Sequence, residues 1–129
     1  MALRIERGVI KTYDSGSSAY QPSYAVDPEA VSISGGYASI DLGKNSNFLV
    51  SATGTYSFSV TIPSRCVGQT GVIIVKNIAT TSPQALPSNM KTPNGDSIAW
   101  QTDNGDIAII SYMVVDTSTM VINYIGNFS

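Results

Sequence analysis

Residues 55–62 alternate without a break: Tyr56, Phe58, Val60 and Ile62 fall on one side, and Thr55, Ser57, Ser59 and Thr61 on the other. A strict period of two is the geometry of a β-strand with one buried and one wet face, and no helix can use it. The same pattern recurs more weakly over Tyr37–Leu42, with Ala38, Ile40 and Leu42 inward. Residues 107–115 are apolar on both faces, which predicts a central strand covered on both sides or one that also faces a partner subunit. Residues 120–125 read as its hairpin partner across Asp116-Thr117-Ser118.

Turn chemistry separates these runs: Ser34-Gly35-Gly36, Gly43-Lys44-Asn45, Thr53-Gly54, Pro63-Ser64, Asn94-Gly95 and Asn104-Gly105. No window of twelve residues carries a helical face, and Pro28-Glu29-Ala30 could start one helical turn at most. Many short strands with frequent turns predict an all-β domain, a β-sandwich or jelly-roll-like body. A chain of 129 residues supports one such domain and one core.

The first thirty residues differ. Leu3 to Tyr13 alternates loosely and reads as a strand, whereas Asp14 to Tyr24 is polar and rich in turn formers. The expected division is an N-terminal strand and extended arm over residues 1–30 and a body over 31–129. The arm reads either as a plain surface loop or as a segment lying across a neighbouring subunit, with Tyr13, Tyr20 and Tyr24 as low-entropy anchors.

Composition narrows the function. Charged residues make up only 12%, about half the usual share, and the net charge is −2. A polar but nearly neutral surface suits packing against copies of the chain or a large neighbour, because charge is costly to desolvate in an interface. Arg4, Arg7 and Lys11 cluster loosely and no basic stripe follows, so nucleic-acid binding has little electrostatic support. No apolar run nears the ~20 residues that span a bilayer, and the N-terminus lacks the apolar stretch of a signal peptide.

The chemistry available to the side chains is narrow. The chain has no histidine, so nucleophilic catalysis with an imidazole base is excluded. Cys66 is the only cysteine; it forms no intrachain disulfide, cannot build a zinc site, and reads as a small buried residue. No phosphate-binding loop is present, and Gly68-x-x-Gly71 stands on the wrong side of its strand for a dinucleotide fingerprint. Asp41, Asp96, Asp103 and Asp106 could supply the paired carboxylates of a glycosidase, but nothing marks a cleft between them. Asp103-Asn104-Gly105-Asp106 lacks the spacing and terminal Glu of a calcium loop and reads as a turn. Trp100 reads as core or interface rather than as an exposed ligand platform. The closing Asn127-Phe128-Ser129 fits a glycosylation acceptor pattern by chance. No catalytic residue, cofactor or metal is expected.

The runs Tyr37-Ala38-Ser39-Ile40-Asp41-Leu42-Gly43, Asn47-Phe48-Leu49-Val50, Gly54-Thr55-Tyr56-Ser57-Phe58 and Gly68-Gln69-Thr70-Gly71-Val72-Ile73-Ile74-Val75, with Asp106-Ile107 and Asn127-Phe128, resemble a β-module common in tailed-bacteriophage virion proteins. The resemblance covers residues 37–129, and its most specific part is the Gly-Gln-x-Gly step into a strand. It implies a structural protein on the virion surface, a homotrimer contacting the major capsid protein or tail proteins. The chain shows no long shaft or heptad coiled coil, so a capsid decoration (cement) protein is the leading expectation. The alternative is a tail-fibre tip that recognises a host-surface glycan. Expected interface residues are Tyr13, Tyr20, Tyr24, Trp100, Tyr112 and Tyr124, with one face of residues 107–125.

Overall fold

The computed structural model describes residues 27–129, Asn127 in its backbone only, and the strand backbones of residues 3–6, 9–14 and 19–22. Strands make up 59% of the chain, and the described residues contain no α-helix, as the alternating sequence predicts.

The chain begins with an antiparallel meander of β1 (Leu3–Glu6), β2 (Val9–Asp14) and β3 (Ala19–Pro22). Residues 19–22 thus form a strand within the stretch expected as an arm, and Tyr13 stands opposite Tyr20 in its register. Side chains of the meander, including those of Tyr13 and Tyr20, lie outside the described residues, as does Tyr24.

The body is a single mixed sheet of seven strands curled into a half-barrel. It is built from β4 (Glu29–Ser34), β5 (Tyr37–Asp41), β6 (Phe48–Thr61), β7 (Thr70–Pro83), β8 (Met90–Lys91), β9 (Ile107–Asp116) and β10 (Thr119–Phe128). The expectation of an all-β fold holds at this level, whereas the sandwich is replaced by one curled sheet over residues 29–128.

The reason lies in β6. β4 and β5 are antiparallel to each other, yet β4 runs parallel to residues 48–51 and β5 parallel to residues 57–61. The two halves of β6 must therefore run in opposite directions, so the strand turns over between Ala52 and Ser57. Gly54 makes the bend, at φ 60°, a left-handed conformation that costs glycine least. Thr53-Gly54 looks in sequence like a turn that ends a strand; here it bends one whose ladder continues. The alternation survives the bend: Phe48, Val50 and Ala52 before it and Tyr56 and Phe58 after it are all buried.

β7 follows β6 around the corner in parallel, with Phe48 opposite Ile73 and Tyr56 opposite Pro83. Between Ala52 and Gly54 of β6 the register jumps from Asn77 to Thr81, so β7 carries two extra residues on the outside of the bend. The hairpin β4–β5, bent β6 and bent β7 are in effect three stacked rungs. β9 then pairs antiparallel with β7, and β10 with β9. The core fills the inner face in cross-strand rows. One runs Val31–Val50–Val75–Ala108, and another Phe48–Ile73–Ile110. Each fully buried aliphatic or aromatic side chain in these rows contributes about 1.5–3 kcal/mol of transfer free energy.

Candidate assembly surface and the latch behind it

The Gly-Gln-x-Gly step is a structural latch. Gln69 Nε2 donates towards three oxygens: Leu42 O at 3.1 Å, Asn45 O at 3.1 Å and the Tyr112 hydroxyl at 3.0 Å. The Tyr112 hydroxyl in turn donates to Ser46 O at 2.6 Å. The backbone of Gln69 is fixed as well, since its carbonyl accepts from Val114 N at 2.9 Å. One side chain thereby ties the 42–47 connection to β9. Gly71 has to be glycine for a related reason. A Cβ there would penetrate the Ser46 carbonyl oxygen, which is backbone and cannot swing aside, and would lie 2.9 Å from the Tyr112 hydroxyl.

Asn77 is a second tie, at the corner of β7. It is buried, and its Nδ2 donates to Gln101 O at 2.9 Å and Asp103 O at 3.1 Å. Its backbone N–H reaches Asp106 O, and its carbonyl accepts from Gly105 N. The stretch Asp103–Asp106 is therefore a turn gripped from behind, with Asp106 N–H bonded to Asp103 O at 3.1 Å. No group of three His, Cys, Asp or Glu residues suited to a metal ion occurs among the described residues. Asp41 caps the next turn, accepting from Gly43 N at 2.9 Å.

The anchored loop delivers Trp100 to the inner face. Its ring stacks on Phe58 at 5.9 Å and meets Tyr124 edge-on at 5.2 Å. The Tyr124 hydroxyl accepts from Gln101 N at 2.8 Å. Trp100 and Tyr124 are partly buried, and Trp100 also borders an open depression of about 460 Å³ with Gln84, Leu86, Asp96 and Ile98. Tyr112 is 4% exposed, so its ring faces the chain's own core and offers no interface surface. Burial raises the phenol pKa of Tyr112 and Tyr124, and pushes that of Tyr56 up to about 12. Cys66 is buried as well, its thiol 3.4 Å from Leu42 O.

The outer face of the sheet is the unusual surface. A row of apolar side chains crosses five strands: Ala30, Leu49, Ile74, Ile109 and Ile125 are successive neighbours. Beside it Met113 stands directly opposite Val121, and they are 50% and 43% exposed. Val115, Ile125 and Phe128 are about as open. On the outer face of β9, Met113 and Val115 are half exposed, whereas Ile107 and Ile109 are partly buried. Of the tyrosines and tryptophan expected at an interface, none with a described side chain lies on this face. Its aliphatic residues were legible only as the second face of residues 107–115.

No known protein family, curated protein or solved structure matches this chain.

Proposed function

We propose that this chain is a structural protein that works by assembly, a capsid decoration protein on the surface of a tailed-phage virion. The observation that carries the assembly reading is the outer face of β7, β9 and β10, where Met113, Val121 and Ile125 stand about half exposed beside the partly buried Ile74 and Ile109 and form one aliphatic surface. Burying it against copies of the chain gains the hydrophobic transfer free energy that the monomer forgoes. The low charge of the chain keeps the desolvation cost of that contact small. The virion setting, the trimer and the capsid protein as neighbour rest on the sequence resemblance. Binding to the assembled shell would stabilise it by mass action, with no chemical step.

Light scattering on the purified chain tests this. A trimer has three times the 13.6 kDa chain mass. Met113→Glu and Val121→Glu place charge on the exposed face and are expected to yield folded monomers. A wild-type monomer at high micromolar concentration defeats the reading. Sedimentation with purified empty capsids then separates a decoration protein, which co-sediments, from a tail protein, which does not. The depression beside Trp100 favours a second reading, a glycan-binding tip. In that case Trp100→Ala abolishes binding on a glycan array.

A further inference from the structure

We propose that Asn94-Gly95 is a site of spontaneous covalent modification, where asparagine converts to aspartate and isoaspartate, while the same dipeptide at Asn104-Gly105 is shielded by the Asn77 tie. The proposal stands apart from the assembly reading.

The sequence holds two Asn-Gly pairs, at 94–95 and 104–105. The backbone nitrogen that follows an asparagine can close a five-membered ring on the side-chain amide carbon. Glycine has no Cβ to hinder that approach, and the attack is intramolecular. The reaction needs only water and base. Base takes the Gly95 N–H proton, the nitrogen bonds Asn94 Cγ, and the Cγ–Nδ2 bond breaks to release ammonia. Water then opens the succinimide ring. Opening at Cγ gives aspartate. Opening at the main-chain carbonyl gives isoaspartate, whose backbone runs through the side chain and is one methylene longer.

Both asparagines are exposed and both stand in turns. They differ in what holds the turn. The nitrogen must give up its proton to react, so the glycine N–H must first leave its hydrogen bond. Gly95 N–H donates to Thr92 O at 3.1 Å, and Asp96 N–H to Pro93 O at 3.0 Å. The Thr92 hydroxyl closes the loop on Asp96 O at 2.7 Å. These bonds link neighbours within residues 92–96. Asn94 also sits at φ 57°, a left-handed conformation that asparagine tolerates better than most residues but does not prefer. Gly105 N–H instead donates to Asn77 O at 2.8 Å, and Asn77 N–H reaches Asp106 O at 3.0 Å. Asn77 Nδ2 holds Asp103 O at 3.1 Å as well, and Asn77 is 2% exposed. Opening the 103–106 turn therefore means pulling it off a buried residue of β7, whereas the 93–96 turn is held by local bonds. Local opening follows that order.

The consequence is a charge at a chosen place. Gly95 and Asp96 border the depression beside Trp100. Pro93 borders a second, apolar depression of about 410 Å³ that reaches Met113 and Val121. Conversion of Asn94 sets a new carboxylate between the two, next to Asp96. The surface around both depressions thus grows more acidic as the protein ages.

The test is peptide mapping by mass spectrometry of the full chain held in mildly alkaline buffer, folded and in urea. Cleavage after Trp100 puts the two asparagines on different peptides. In the folded chain Asn94 is expected to convert about tenfold faster than Asn104, since one to two extra net hydrogen bonds lower the open population by that order. In urea the two should convert at comparable rates. Asn77→Ala, with folding verified by circular dichroism, should speed Asn104 towards the rate of Asn94 and leave Asn94 unchanged. An Asn94 that stays intact in the folded chain, or converts no faster than Asn104, overturns the proposal. A rate ratio that urea leaves unchanged overturns the shielding, and so does a folded Asn77→Ala variant in which Asn104 stays slow.

Discussion

Removing the Gln69 amide is the most direct assault on the latch. Gln69→Ala deletes a donor whose two hydrogens are shared among Leu42 O, Asn45 O and the Tyr112 hydroxyl. Two net hydrogen bonds are lost, at about 1 kcal/mol each. The carbonyl of Leu42 is left with only the weak Cys66 thiol donor at 3.4 Å, which adds a desolvation cost. Gln69 is half-buried, so water reaches part of the site and holds the total to about 2–3 kcal/mol. For a chain of this size that lowers Tm by about 8–12 °C. Urea unfolding followed by circular dichroism and by Trp100 fluorescence measures it, the coincidence of the two probes supporting a single transition. Tyr112→Phe removes the other half of the link, including the 2.6 Å bond to Ser46 O. Because both side chains act on the same connection, the double variant should lose less than the sum, by about 0.5–1 kcal/mol. A loss below about 1 kcal/mol for Gln69→Ala, or strict additivity with Tyr112→Phe, would refute the latch.

Gly71→Ala drives a Cβ into the Ser46 backbone and should cost about 3 kcal/mol, more than most glycine replacements in strands, as read by the urea midpoint. Asn77→Ala should cost about 2–3 kcal/mol and free the 99–106 loop, seen as a red shift of Trp100 emission and earlier proteolytic cleavage there. Alkali should unfold the protein through its buried phenols. Tyr56 titrates near 12 in the fold and near 10 in the unfolded chain, so its contribution is intact below pH 10 and lost as pH rises towards 12. Tyr56→Phe, which also removes a buried hydroxyl without a partner, should flatten that loss in a pH series of thermal melts.

The inward residues of this fold were legible because burial obeys the strand period. Ala38, Ile40 and Leu42, and Tyr56 and Phe58, are all buried as their alternation predicts. The bend in β6 was not legible, because a glycine at positive φ inside a continuing ladder has the same local sequence as one that ends a strand. The two-residue excess of β7 was hidden for the same reason, since bulges are set by the neighbouring strand. Gly-Gln-x-Gly was visible as a motif but not as a latch. Its partners at Leu42, Asn45 and Tyr112 come from segments that only the fold brings together. Tyr112 was misplaced because aromatic type was weighted above strand parity. It shares the parity of Ala108, Ile110 and Val114, which point inward, and that signal was present in the sequence.

The three stacked rungs carry a kinetic consequence. Ala38 meets Phe58 and Val50 meets Val75, so each rung lies against the stretch of chain made just before it. The ends to be joined are short loops, and their closure entropy is modest even though the strands are parallel. β9 must instead return across the whole 84–106 connection to find β7, a more distant search. Folding should therefore wind from the rungs outward, with β9 and β10 docking last. Substitutions at Val50 or Phe58 would then slow folding, while those at Val114 or Ile122 would mainly hasten unfolding. The elements that dock last are also those that carry Met113 and Val121, so the exposed aliphatic pair is assembled only at the final step.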